Sequence, residues 1–474
     1  MKLLKILLLI SATLAVLGAI GVYFFQNGVL QETVINEARK QIPAIATAPD
    51  DLIQNILGLK ATRHYLLLFL NNTEMRPGGG FIGSYGVVKM EGGRPEILKV
   101  EGTEILDYSQ DDFDLPPPPQ PISEYLKVKK WYFRDSNWSP DFASSSERAL
   151  DFYRREKGLA ADSIDGVIGL TPTVIAEILK VTGPIKMGGL EFNSDNFVEK
   201  LEYQVEYGYK EDDIAHSDRK LILGDLARAL MQKIKYDAFL NWKKYFALVE
   251  RLIAEKQIIF YSTDAGEQKS LINSGWAGEM KKFAGDYLLW ADANLGALKT
   301  DLAVEKSLSY SLTTTSIGYE SEISMTYQHS GNIDWRTSRY RTYARAYVPA
   351  GSKLVAGQAN TIGLKTVEKL AVDQGVENGR QWFGAFVTVA PGQSLRLSFK
   401  YVPAPAIVKM IEMNDYGLLV QKQLGSENVK LTLGMDFGKK VVSATPPEAK
   451  EKFGDNRYDL PTDLTTDRKF EIKW

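Results

Sequence analysis

The spacing of apolar positions changes along this chain, and each change predicts a different kind of element. Ile6–Phe25 holds twenty residues without a charge, enough for a helix spanning ~30 Å of hydrocarbon. From Gln26 to Leu59 the pattern is amphipathic, with Val34, Ile35 and Ala38 on one side and Glu32, Glu37, Arg39 and Lys40 on the other. Pro43 interrupts it, and Asp50-Asp51 cap a second short helix over Leu52–Leu57. Short apolar runs then alternate with helical ones. Strands are predicted over 64–70, 81–89, 95–101 and 165–170, and helices over 144–157, 173–181, 195–209, 219–234 and 236–255. Gly92-Gly93 forms a turn between strands, Thr171-Pro172 starts a helix with a cap and a proline at its first position, and Gly183-Pro184 ends it. This mixture predicts a layered α/β domain over 61–293. Beyond the stretch ADANLGALKTD at 291–301 a period of two takes over, clearest in Ile323, Met325 and Tyr327 and in Leu395, Leu397, Phe399 and Tyr401. An all-β sandwich over 294–474 is expected, with Ser443–Arg468 an irregular connection before a last edge strand.

The flanks of the first apolar run set its orientation. Lys2 and Lys5 precede it, and it ends in Val22-Tyr23-Phe24-Phe25 rather than in a small-x-small cleavage site. Residues 1–25 therefore predict an uncleaved, single-pass membrane anchor with a cytoplasmic N-terminus. Residues 26–60 form a membrane-proximal stalk, and everything beyond is extracytoplasmic. A net charge of −2 argues against a nucleic-acid partner, which needs a basic face. The chain has no cysteine, which excludes a thiol nucleophile, a disulfide framework and a thiolate metal site.

Candidate chemistry centres on residues 71–86, NNTEMRPGGGFIGSYG. Gly78, Gly79 and Gly80 free the backbone to approach a ligand, and Arg76 stands at the mouth of the turn; bare amides beside a guanidinium recognise an anion. The same residues also make an ordinary tight turn. The second element is Arg134-Asp135 in WYFRDSNWSPDF, where the arginine suits a phosphate and the aspartate a divalent cation. A structural ion pair is the competing reading. Asp141 and the acidic run Asp111, Asp112 and Asp114 are further candidate metal ligands, the run being equally a solvated loop before four prolines at 116–119. Arg219 opens a helix and is a candidate for the same anion. No GxSxG elbow, Walker loop, HExxH or EF-hand loop is present.

Taken together, RPGGGFIGSYG at 76–86, RDSNWSPDF at 134–142, DGVIGLTP at 165–172, TGPI at 182–185, DANLGALKTD at 292–301 and VQKQLG at 420–425 resemble a bacterial envelope family known as domain of unknown function number four thousand and twelve. A more distant likeness is to the LytR-CpsA-Psr family, carried by the order of a buried strand, an arginine-bearing turn, a strand pair, an Arg-Asp, a short strand before a helix, a Gly-Pro break and a later Asp-Arg. That resemblance implies a phosphotransferase acting on polyprenyl-pyrophosphate-linked cell-envelope glycopolymers. Arg76 and Arg134 would hold the pyrophosphate, Asp135 would hold Mg2+, and Asp218-Arg219 would match the late Asp-Arg. The chain departs from that pattern where glycines follow Arg76 in place of an aspartate, and where Asn71 or Asn72 follows the first strand in place of an acid. The alternative is a non-catalytic cell-surface protein, in which the α/β domain is a degenerate scaffold and the β-sandwich binds a partner or glycan.

Overall fold

The computed structural model describes residues 50–109, 114–187, 189–208, 221–296, 298–316 and 318–474. The expected anchor at Ile6–Phe25, most of the expected stalk, Asp111, Asp112, Asp218 and Arg219 lie outside the described residues. No helix among the described residues is long and apolar enough to cross a membrane. The chain divides into two compact units. One runs up to Asn71 and takes in Phe81–Pro116 and Trp131–Glu279; the other consists of Asn72–Gly80, Pro117–Lys130 and Met280–Trp474. The sequence reading draws a single boundary at 293/294, whereas the second unit also claims residues 280–293 and two short segments from much earlier in the chain. Membership of a unit is decided by contacts far apart in sequence, which leave no mark on local period.

The first unit is a mixed α/β structure. Its five-stranded sheet has the order β3-β2-β1-β4-β7, with β1 at Arg63–Asn71, β2 at Phe81–Glu91, β3 at Arg94–Gly102, β4 at Gly166–Leu170 and β7 at Ile258–Ser262. β1 runs parallel to β4, and the other neighbours are antiparallel. The hairpin β5 (Ile185–Met187) and β6 (Leu190–Phe192) stands apart as a separate two-stranded sheet. Every residue of β4, GVIGL, is buried, which is why this strand reads as an unbroken apolar run rather than an alternation. Gly92 and Gly93, at φ 55° and 76°, make the two-residue turn between β2 and β3 that a right-twisted hairpin demands. The start of β4 is held by Asp165, whose carboxylate accepts the His64 amide at 2.7 Å while its carbonyl accepts the Thr263 amide at 2.9 Å.

The described helices of this unit are α1 (Asp50–Ile56), α2 (Thr103–Asp107), α3 (Phe142–Arg155), α4 (Pro172–Thr182), α5 (Phe197–Tyr203), α6 (Leu221–Ala254) and α7 (Ala265–Asn273). Leu67, Ile168, Ile178, Leu252 and Phe260 lie at the centre of their shared core. Pro172 takes the first position of α4 as expected, but Thr171 does not cap it: its hydroxyl donates to Gln257 Oε1 at 2.6 Å instead. The two helices expected over 219–234 and 236–255 are one stretch broken at Asn241, where φ is −119° and ψ 19°. Asn241 Nδ2 donates to Asp237 Oδ1 at 2.7 Å, and Tyr245 donates to the other oxygen at 2.8 Å.

The second unit is β-rich. Its strands are β8 (Asp286–Asn294), β9 (Val304–Thr315), β10 (Gly318–His329), β11 (Tyr340–Pro349), β12 (Lys353–Thr361), β13 (Glu368–Lys369), β14 (Asp373–Glu377), β15 (Arg380–Val389), β16 (Ser394–Val402), β17 (Asp415–Gln421), β18 (Lys430–Asp436), β19 (Ser443–Thr445), β20 (Arg457–Asp463) and β21 (Arg468–Lys473). They form two seven-stranded sheets, β13-β12-β16-β10-β9-β18-β20 and β14-β15-β11-β8-β17-β21-β19. One core joins them. Ile323, Met325, Tyr327, Leu397, Phe399 and Tyr401 project into it from one sheet, as the alternation predicts, and Trp290 of the other sheet meets Phe399 with ring centroids 5.6 Å apart. The tail differs from expectation. Ser443–Arg468 carries β19 and β20, and β21 lies inside its sheet with β19 at the edge, because polar residues on an edge strand do not alternate sharply enough to be read as one.

Candidate functional site

Arg134 and Asp135 belong to the first unit, in the single turn Phe133–Asp135. The Arg134 guanidinium donates through Nε to Asp107 at the end of α2, so the arginine is paired with a carboxylate from another element rather than with its chain neighbour. Its Cζ lies 4.6 Å from the ring centre of Tyr108 and 5.5 Å from that of Tyr132, an aromatic box that suits a planar cation. The Asp107 side chain is fully buried while that of Arg134 keeps 20% exposure. Burial works against the arginine's charge, but Asp107 and Tyr108 more than offset it and raise its pKa.

A third group completes this cluster. Glu156, 2% exposed just beyond α3, accepts the Phe133 amide at 3.1 Å. Burial first, and then the neighbouring Asp107 charge, push its pKa up to about 9; burial likewise raises Asp107 to about 6, against the pull of Arg134. Asp107 Oδ1 and Glu156 Oε2 are buried with no conventional donor. A proton held on Glu156 and shared with Asp107 supplies the missing bond, leaving a neutral carboxyl, one carboxylate and one guanidinium near pH 7. Asp135 itself is buried, its backbone carbonyl accepting the Trp131 indole at 2.8 Å, and its charge adds to the field on Arg134. Asp141 is the N-cap of α3, accepting the Ser144 amide at 2.8 Å and the Ser144 hydroxyl at 2.9 Å. Asp114 is exposed and holds Arg155 Nη1 through its carbonyl at 2.9 Å. Among the described residues no three His, Asp or Glu side chains are arranged to hold a metal ion.

Arg76 and the glycine turn belong to the second unit. Gly79 and Gly80 have φ of 114° and 133°, the freedom the sequence assigns them, and the Gly79 amide closes the turn on the Arg76 carbonyl at 3.0 Å. A side chain at Gly425 would collide with the Gly79 carbonyl at 2.2 Å, so the two glycine segments pack backbone to backbone. Arg76 is only 2% exposed. Its guanidinium donates to the carbonyls of Asn294 and Met75, at 2.5 and 3.2 Å, and pairs with Glu74 at 3.3 Å. The turn thus faces protein, and Arg76 is a core residue of the second unit.

Around it lies a polar network that the sequence reading does not assign. Lys306 Nζ donates to Asp301 Oδ1 at 2.8 Å and lies 3.1 Å from Asp292 Oδ2. Burial opposes its charge, yet the two carboxylates hold its pKa above the usual lysine value. Asp301 also accepts the Met75 amide, Asn294 Nδ2 and the Tyr340 hydroxyl, at 2.9, 2.9 and 3.0 Å. Asp292 accepts the Tyr327 hydroxyl at 2.6 Å. Gln423 bridges the network, donating to the carbonyls of Asp292 and Arg76 at 2.9 and 3.2 Å. The stretches RPGGG, DANLGALKTD and VQKQLG therefore meet in one buried lattice. Their unusual polar density was the available signal. Glu156 had none, since a lone glutamate at a helix end looks like surface.

No curated protein matches this sequence. Among solved structures, a "putative nutrient binding protein" from Legionella pneumophila shares 8% identity at a TM-score of 0.24, covering 36% of this chain and 67% of that one. Native yeast LTA4 hydrolase shares 10% identity at a TM-score of 0.20, covering 36% of this chain and 29% of that one. At those scores neither likeness bears on fold or function. Residues 60–206, which include Arg76, the glycine turn, Arg134, Asp107 and Glu156, match the family described as "Protein of unknown function (DUF4012)".

Proposed function

We propose that this chain is a non-catalytic cell-surface protein, held at the membrane by its N-terminal apolar run, in which the α/β unit serves as a scaffold and the β-rich unit carries the binding function. The observation that carries this reading is that Arg76 and Arg134, the two described arginines put forward for anion binding, are each already compensated inside their own unit. Arg134 is paired with Asp107 and backed by Glu156, and Arg76 is paired with Glu74 and two carbonyls. A buried guanidinium with its own carboxylate gains little from an incoming phosphate, because the existing pair would have to be broken first. A thermal-shift titration of the full chain with polyprenyl phosphates, with and without Mg2+, tests this. The expected result is no metal-dependent stabilisation. Stabilisation that needs Mg2+ and disappears in Arg134→Ala would overturn it.

One observation favours a second reading, a phosphotransferase acting on polyprenyl-linked envelope glycopolymers. Arg134 keeps one-fifth of its side chain exposed, beside the exposed ring of Tyr108. That opening would admit a pyrophosphate to the guanidinium edge opposite Asp107. The same titration separates the two readings, with release of labelled glycopolymer phosphate as the readout of turnover.

A further inference from the structure

The second unit holds a cleft of about 520 Å³, within the range of small-molecule sites, between stretches 72–75, 301–306 and 425–430. Its inner wall is formed by Met75, Asp301, Lys306 and Ser426, all buried, and its rim by Glu305 and Lys430, which pair at 3.2 Å. Lys306 is the informative residue. Asp301 and Asp292 engage two of its three N–H donors among the described residues, its Nζ lies 5.3 Å from the centre of the Tyr340 ring, and the residue lines the cleft. Ser330 Oγ donates to the Ala303 carbonyl at 3.2 Å, which turns its lone pairs to the role of acceptor. Leu302, Ala303 and Val304 add a short apolar strip.

We infer that this cleft binds an uncharged oligosaccharide, of the size of a di- or trisaccharide. Three acids (Asp301, Glu305, Glu427) against two lysines (Lys306, Lys430) leave the lining with a formal charge of −1, so an anionic ligand meets net repulsion. The lysines of the lining are already paired with carboxylates, Lys306 with Asp301 and Asp292 and Lys430 with Glu305, so a charged ligand would have to compete with an existing ion pair. A sugar ring both donates and accepts through its hydroxyls and presents C–H faces, which matches one ammonium donor, hydroxyl and carboxylate acceptors and an apolar strip. The inference rests on the binding reading above and supplies its ligand class and site.

The test is calorimetric titration of the full chain with cellotriose and with tri-N-acetylchitotriose, alongside trigalacturonate and chitosan trimer as charged comparators. Saturable binding of a neutral trimer is expected, weakened about tenfold or more by Thr73→Trp, which fills the cleft, and unchanged by Arg134→Ala. Should Thr73→Trp fail to fold by circular dichroism, Leu302→Trp at the cleft wall takes its place. Failure of both neutral trimers to bind, tighter binding of a charged trimer, or full affinity in the cleft-filling variant overturns the inference. Because Arg134 takes no part in the cleft, this failure is distinct from that of the non-catalytic reading, which falls on the Mg2+-dependent response alone.

Discussion

The Arg134 cluster of the first unit and the Lys306 network of the second solve one problem, the burial of ionised groups, in opposite ways. In the second unit Asp292, Asp301 and Glu74 face Lys306 and Arg76, and carbonyls, hydroxyls and amides take up the remaining bonds. In the first unit two carboxyl groups face one arginine, and a retained proton makes up the difference. The arrangement in the first unit is the one that answers to pH. Buried acids that lack fixed donors retain a proton, whereas buried acids satisfied by fixed hydrogen bonds lend rigidity.

Breaking the second-unit network carries the largest expected effect. Lys306→Met leaves Asp292 and Asp301 facing each other without a cation, at a cost of ~3–5 kcal/mol, read as an early denaturant transition in the fluorescence of Trp290. An unchanged midpoint would mean that the lysine is dispensable to this core. Arg134→Ala strands the Asp107 carboxylate but leaves a group that can protonate, so a smaller loss of about 2 kcal/mol is expected, shrinking as the pH is lowered toward 6, because without the arginine's pull Asp107 takes up its proton at a higher pH than in the parent chain.

Glu156→Gln sharpens the comparison through its sign. The native carboxyl titrates near 9 and the ordinary value is 4.5, so between those limits the folded chain binds a proton that the unfolded chain has lost. Stability from this group is present in full below pH 4.5 and is lost as pH rises toward 9. Glutamine mimics the neutral acid, so Glu156→Gln should flatten that decline and stabilise the first unit at pH 8 by on the order of 1 kcal/mol. A pH–stability curve identical to the parent chain would refute the shared proton. The smallest effect belongs to Asp141→Ala, which removes the N-cap of α3 and costs ~1 kcal/mol. Any accompanying loss of a bound metal would return Asp141 to the role of ligand.

The period of apolar residues was enough to place β1 to β4 of the first unit, though not β5, β6 or β7, together with the alternation of β10 and β16, the hairpin at Gly92-Gly93 and the stop at Gly183, because each depends on neighbours within a few positions. It also singled out Arg76, Arg134, Asp135 and Asp141 as chemically unusual. What each of them touches was beyond its reach. Arg134 finds Asp107 twenty-seven residues away, and Arg76 finds the carbonyl of Asn294 two hundred and eighteen away. Arg134 pairs with Asp107 and not with the adjacent Asp135, because a charge is compensated by whatever group the fold brings within hydrogen-bond reach, and the structural ion pair weighed for it has a partner from another element. Local sequence therefore determined the elements and the inventory of charges. Tertiary packing alone decided the pairings, since desolvation penalises every buried charge until a distant residue satisfies it.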